Sequence, residues 1–344
     1  MGAEHDRDAP PPPPNPGGAD ESAPEAPPRI GGRGTSPLVV IAGPTAVGKT
    51  EAALALAHDF GSEIVSADSR QVYRGMDIGT AKPTPAERAA APHHLLDLVD
   101  PDEAFSLADY QALAYRAIDA IHARGRVPLL VGGTPLYVNA VVEGWRLPGV
   151  PPSPALRAAL EAEVARGGAE ALARRLAAVD PAAAARAAGN PRRLIRALEV
   201  YAATGRPMSE LEGKAAPPYR VLQVGLTLAR PALHARADAR ADAMIAAGLV
   251  AEVRGLLDRG YDPALPAMSG IGYAEIVRHL AGDCSLPEAV AQIKADTHRY
   301  IRHQETWLRR NHALRLFDVA ERDWLERLRE AVGAFLEDEG ESRE

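Results

Sequence analysis

The most specific chemistry in the chain is carried by eight consecutive residues, Gly43-Pro44-Thr45-Ala46-Val47-Gly48-Lys49-Thr50. They fit G-x-x-x-x-G-K-S/T, after an apolar run and before an Ala-rich stretch. That is the strand–turn–helix setting a phosphate-binding loop requires. Backbone N–H groups of such a turn, and of the helix start behind it, converge on an anion. Gly43 and Gly48 permit the tight turn, Lys49 offsets phosphate charge, and Thr50 is placed to hold Mg²⁺. By itself the loop indicates a phosphorylated ligand, and a nucleotide kinase or NTPase is the starting expectation.

A phosphoryl-transfer enzyme also needs a carboxylate at a strand end to hold its metal. The apolar run Val127 to Val131 leads instead into Gly132-Gly133-Thr134-Pro135-Leu136-Tyr137, which contains no acid. The run at Ile64-Val65 does lead to one, in Ser66-Ala67-Asp68-Ser69-Arg70-Gln71. Residues just past the carboxyl ends of parallel strands face the ligand. Position alone leaves Asp68 as a metal ligand, a general base or the N-cap of a following helix. Thr134 has a capping alternative too, before Leu136-Tyr137.

These residues need a scaffold that brings strand ends together. Leu38 to Ala42 is a short continuous apolar run, as expected of a buried parallel strand. Further strands are expected at Ile64-Val65, Val127 to Val131 and Val221 to Leu228. Helical stretches lie between them, such as Glu51 to His58 and Ser106 to Arg124, the latter with Ser106 as N-cap. The alternation predicts a three-layer α/β unit with a parallel sheet. A Pro-rich stretch from Leu147 opens an Ala- and Arg-rich helical segment without strands. The expected organisation is a Pro/Gly-rich acidic tail (1–36), a core (37–146 and 217–336), a helical insertion (147–216) and a second acidic tail (337–344). Helices are expected to dominate from Val221–Leu228 to about Leu336.

Composition narrows the classes. The 344 residues are 46% hydrophobic, enough for a real core. No apolar run approaches the roughly 18 residues that span a bilayer, and the N-terminus resembles neither a signal nor a transit peptide. One cysteine, Cys284, excludes a disulfide framework and suits a reducing cytoplasm. The net charge of −7 runs against an RNA-binding protein. Yet residues 1–36 carry −3 and residues 337–344 carry −4, which leaves residues 37–336 neutral. A neutral core can still present basic patches. Arg192, Arg193 and Arg196 form one. Arg299, Arg302, Thr306, Arg309 and Arg310 fall on one side of a helix and form another, suited to RNA phosphates. Trp307 points elsewhere, toward a core.

Several of these segments resemble, in order, the motifs of bacterial tRNA dimethylallyltransferases. They are Gly43 to Thr50, Asp68-Ser69-Arg70-Gln71-Val72-Tyr73, Gly75 to Pro83, Gly132 to Tyr137, Arg192 to Val200 and Gln304-Glu305-Thr306-Trp307-Leu308-Arg309. The likeness runs from about Pro37 to about Arg310. It implies a P-loop NTPase-like fold and transfer of a dimethylallyl group from dimethylallyl diphosphate to a tRNA adenine, with Mg²⁺. The protein is expected to be a monomer.

The resemblance also implies roles. Asp68 is the base for the adenine amine, Thr134 lies at the reacting centre, and Arg240 assists the leaving diphosphate. Arg236 and Arg240, four apart, share a helix face that could equally be a solvated ion-pair face. The implied tRNA contacts are Asp68, Ser69, Arg70, Gln71, Thr134, Arg157, Arg192, Arg193, Leu194, Ile195, Arg196, Arg302, Gln304 and Arg309. Ser269, Ala274, His303 and Glu305 depart from the family's basic pattern. A free adenylate is the alternative acceptor, although it would need neither the insertion nor the basic stripe.

Overall fold

The computed structural model describes residues 36–215 and 219–338. The expected N-terminal tail up to residue 35 and the last residues of the acidic tail, 339–344, lie outside the described residues. Strand β1 (Pro37–Ala42) feeds the glycine-rich turn into helix α1 (Lys49–Phe60). β2 (Glu63–Ser66), α2 (Pro85–Ala90), β3 (His93–His94), α3 (Leu107–Ala123), β4 (Pro128–Gly132) and α4 (Pro135–Val142) follow. Next come β5 (Trp145–Arg146), five helices, α5 (Pro154–Gly167), α6 (Ala169–Ala177), α7 (Pro181–Ala187), α8 (Pro191–Thr204) and α9 (Met208–Leu211), and then β6 (Gly213–Lys214). The chain returns through β7 (Arg220–Thr227), α10 (Arg230–Ala246), α11 (Leu249–Asp258), α12 (Tyr273–Leu280), α13 (Leu286–Arg310), β8 (Leu314–Asp318) and α14 (Trp324–Glu337).

Six strands form one sheet in the order β3-β2-β4-β1-β7-β8, and every pair in it is parallel. The side chains of β1 alternate between two cores. Leu38, Val40 and Ala42 join a cluster with α3, α4, α11 and α12. Val39 and Ile41 join another with α1, the start of α10 and α14. Burial on both faces explains why β1 reads as a continuous apolar run. Helix α3 starts where the Ser106 side chain accepts the Asp109 N–H and Asp109 returns a bond to the Ser106 N–H, a capping box.

Helices α5 to α9 carry a third apolar cluster of their own, centred on Leu160, Leu172, Leu176, Leu194 and Leu198. The antiparallel pair β5–β6 ties the two ends of this segment together. Helices do dominate after β7, but the five-residue strand β8 among them was not expected. β8 is an edge strand in which only Phe317 is buried, so it lacks the apolar signal of the central strands. The two-residue β3 is too short to leave a pattern. No helix among the described residues is long and apolar enough to cross a membrane.

Candidate active site at the carboxyl edge of the sheet

The turns after β1, β2 and β4 and the helix after β7 meet at one edge of the sheet. In the first turn Gly48 has φ 110°, which only glycine adopts without strain. Lys49 folds back over the loop, its Nζ donating to the carbonyls of Gly43 at 3.0 Å and Pro44 at 2.8 Å. Burial and the nearby Arg240 guanidinium lower its pKa to about 8, against an opposing pull from Asp68. Thr50 is exposed in the first turn of α1.

Asp68 follows β2 and its Oδ1 accepts the Arg70 N–H at 2.8 Å. No helix starts there, so the capping alternative falls. Thr134 occupies the N-cap position of α4, but its side chain caps nothing. It accepts the Ser69 N–H at 3.1 Å and donates to Ser69 Oγ at 3.4 Å, which stitches the second turn to the third. The third turn can press so close because Gly132 has no side chain. A Cβ there would lie 2.1 Å from the Ala67 carbonyl oxygen.

Thr45, Ala46, Asp68, Ser69, Arg70, Arg240 and Tyr300 line a single cavity of about 280 Å³. Its other walls are largely apolar, with Ala237, Ala241 and Met244 from α10, Ile293 from α13, and Ile271. Arg240 has no carboxylate within 4.0 Å among the described residues. The neighbouring acids of α10, Asp238 and Asp242, pair instead with His298 and Lys294 of α13. Burial lowers the pKa of Arg240, while Asp68 and Glu87 oppose that shift. The ion-pair-face alternative therefore fails for Arg240, although Arg236 is exposed. Two cations held near each other without a bonded carboxylate form a site for an anion.

The residues assigned to RNA by resemblance divide. Arg192 and Arg193 are exposed at the start of α8, and Arg302 and Arg309 are exposed on α13. Arg193 also donates to the Arg186 carbonyl at 3.3 Å. Glu305, the acid within the stripe, is paired with Arg230 at 2.6 Å. Arg299 pairs with Asp296 of its own helix. Arg70 donates to the Pro266 carbonyl and to Ser269, one of the departures from the family pattern.

Other residues assigned to RNA are buried or bonded within the protein. Leu194 and Ile195 are buried in the helical core, because an apolar pair there is what packs α8. Arg196 donates to the carbonyls of Pro148 and Val150, fastening the Pro-rich segment that leads into α5. Arg157 forms a two-pronged pair with the buried Glu199 at 2.8 and 2.9 Å. The Gln71 side chain is taken up by Ser66, Thr80 and Ala81. Gln304 is buried between two of the turns.

Sequence reasoning passed over Glu252 of α11. Its carboxylate accepts the N–H groups of Asp77, Ile78 and Gly79 and the Tyr273 hydroxyl, at 2.6 to 3.2 Å. It thereby joins two walls of the cavity, Gly79 and Tyr273. Buried Lys82 braces the same loop through Asp77, Asp97 and the Tyr73 carbonyl. The Gly75–Pro83 motif marked this loop, but nothing local marks a partner more than 170 residues away. Tyr300 was also missed. Its hydroxyl donates to the Gly133 carbonyl at 3.3 Å.

A phosphate loop at the carboxyl edge of a parallel sheet, facing a carboxylate across a cavity with apolar walls, defines a P-loop enzyme for group transfer from an anionic donor. The family model described as IPP transferase matches residues 71–311, and one described as Isopentenyl transferase matches residues 36–97. A tRNA dimethylallyltransferase of Thermomicrobium roseum is 55% identical over 89% of this chain and 93% of that protein. One from Roseiflexus is 61% identical over 80% and 90% respectively. Among solved structures, the tRNA isopentenylpyrophosphate transferase of Bacillus halodurans aligns with TM-score 0.67 at 42% identity, covering 88% of this chain and 98% of that one. A eukaryotic dimethylallyltransferase acting on tRNA aligns with TM-score 0.75 at 26% identity, over 88% and 80%. The chain belongs to the IPP transferase family of tRNA dimethylallyltransferases.

Proposed function

We propose that this enzyme transfers a dimethylallyl group from dimethylallyl diphosphate to the exocyclic N6 amine of the adenine 3′ of the tRNA anticodon, releasing diphosphate. The observation that supports it most is the pairing, in one cavity, of an acid with an anion site. Asp68 and Arg240 line the cavity together and Lys49 lies close enough for its charge to feel both, and neither cation has a carboxylate bonded to it among the described residues. The free loop amides, Lys49 and Arg240 hold the diphosphate and stabilise the charge that develops as the bond from allylic carbon to oxygen breaks. The adenine nitrogen forms the new bond to that carbon, and its proton passes to the Asp68 carboxylate. A positioned base typically contributes a factor of about 10² to 10⁴. The apolar walls keep water from the cation-like carbon.

The Thr50 hydroxyl is a hard oxygen ligand that suits Mg²⁺. Among the described residues no cluster of three His, Cys, Asp or Glu side chains could hold a metal. Thr50 would hold the ion, whose charge would offset that of the leaving diphosphate. The target adenine is stacked in the anticodon loop and has to be extruded to reach Asp68. Arg192, Arg193, Arg302 and Arg309 are the exposed cations assigned to the RNA backbone, and residues 147–216 are assigned to the RNA as an insertion domain. The enzyme is read as a cytoplasmic monomer.

The test uses unmodified tRNA with adenine after the anticodon, dimethylallyl diphosphate and Mg²⁺. One prenyl unit should be added to the anticodon fragment by mass. Folded protein that leaves this fragment unchanged would reject the proposal, and transfer to free AMP, ADP or ATP in preference to tRNA would redirect it.

A further inference from the structure

We propose that Gln304 is a positioning residue of the donor site and not a contact to RNA. Its side chain is 3% exposed, while Arg302 and Arg309 of the same helix α13 face solvent. The carboxamide oxygen accepts the Thr45 N–H at 2.9 Å. The carboxamide nitrogen donates to the Gly133 carbonyl at 2.8 Å. One side chain thus bridges the loop that grips the diphosphate and the turn that presents Thr134. Tyr300, one helical turn earlier, donates to the same Gly133 carbonyl at 3.3 Å.

The space is closely filled. A Cβ on Gly133 would stand 2.4 Å from Gln304 Nε2, 3.2 Å from the Gly43 carbonyl oxygen and 3.5 Å from Lys49 Nζ. The bridge also decides which amides remain for the donor. Pro44 has no N–H, and that of Thr45 is consumed by Gln304. The amides left to face an anion are those from Ala46 to Thr50. A neutral carboxamide offers an acceptor and a donor together. Glutamate would keep the acceptor, set its second oxygen against the Gly133 carbonyl and bring negative charge toward the diphosphate. Leucine would leave the Thr45 N–H unpaired and the Gly133 carbonyl with only its longer bond from Tyr300.

The assignment rests on the proposed reaction only in naming the donor, because diphosphate binding can be read without turnover. The full chain carrying Gln304→Leu or Gln304→Glu is compared with wild type, with folding checked by circular dichroism. Inorganic diphosphate binding with Mg²⁺ is measured by calorimetry, tRNA binding by filter retention, and donor KM and kcat by prenyl transfer. Gln304→Leu should weaken diphosphate at least about tenfold and raise donor KM, with tRNA affinity within about twofold of wild type. Gln304→Glu should weaken diphosphate further. If Gln304→Leu does not fold, Gln304→Glu gives the same reading.

Loss of tRNA affinity with diphosphate binding intact would make Gln304 an RNA contact and overturn the proposal. No change in either, or equal loss of both, would overturn it as well. Wild-type protein that binds diphosphate without transferring prenyl would count against the proposed reaction and leave this comparison readable.

Discussion

The phosphate loop and the arginine clusters were both conspicuous in the sequence, yet the structure uses them differently. In the loop, Gly48 stands at positive φ and Lys49 lies over the turn, the local geometry that the motif predicts. In the helical insertion, basic residues with the same apparent purpose separate. Arg192 and Arg193 remain exposed, Arg193 with one bond to the Arg186 carbonyl, while Arg157 and Arg196 are part-buried and tied to Glu199 and to the Pro148 and Val150 carbonyls. A phosphate loop acts through backbone geometry, which local residue types dictate. An arginine acts through whichever acceptor reaches it first, and that acceptor can be any carbonyl or carboxylate the fold brings near.

The sharpest way to break this contrast is at the acid. Asp68→Ala should lower kcat by at least about 10², with donor KM largely kept. A near wild-type rate would remove Asp68 from the chemistry and leave the cavity without its base.

Next in size is Arg157→Ala. It strands most of the buried Glu199 carboxylate, whose remaining bond is from the Ser153 N–H, with Arg196 at 3.8 Å. Stability should fall by about 1–3 kcal/mol, at the lower end because Arg157 is partly solvated. Thermal unfolding reads this loss. An unchanged midpoint with weakened tRNA binding would return Arg157 to the RNA interface.

A third test uses Lys49, whose pKa is lowered to about 8 by burial and by Arg240. Between pH 7 and pH 9 the empty site passes from charged to neutral lysine, while bound diphosphate holds the proton on. Diphosphate affinity should therefore fall as pH rises, by about tenfold across that window. Lys49→Arg, charged throughout, should flatten the profile if it binds. A flat wild-type profile in calorimetry would show that Lys49 keeps its proton.

The smallest effect is expected at Arg193→Ala. tRNA affinity should drop a few-fold and the salt slope of log K should shrink by about 1, with donor KM unchanged. An unchanged salt slope would mean that this exposed arginine meets no phosphate.

Four of the six strands were legible, because β1, β2, β4 and β7 carry apolar runs that buried parallel strands require. β8 was not, since an edge strand with one buried side chain has no such run. The site was legible where a motif sits in one stretch of chain, as at Gly43–Thr50, Asp68 and Thr134. It was illegible where two distant stretches combine. Glu252 carries no local mark, and its function as a clamp exists only because α11 packs beside the Asp77–Gly79 loop. Gln304 carried a mark, but its burial between two turns was not legible, since an amide in an Arg-rich helix reads as a polar surface residue.

Residue types alone determined the phosphate loop, the parallel α/β order and the presence of an acid at a strand end. These follow from backbone conformation and from apolar periodicity, both of which are set over a few residues. The tertiary structure decided which cations stay free to meet an anion. It also decided that Arg240 turns into the cavity and that Gln304 locks two turns together. Those outcomes depend on pairing across 42 to 259 residues, where the nearest acceptor in space wins, and spacing along the chain carries no record of it.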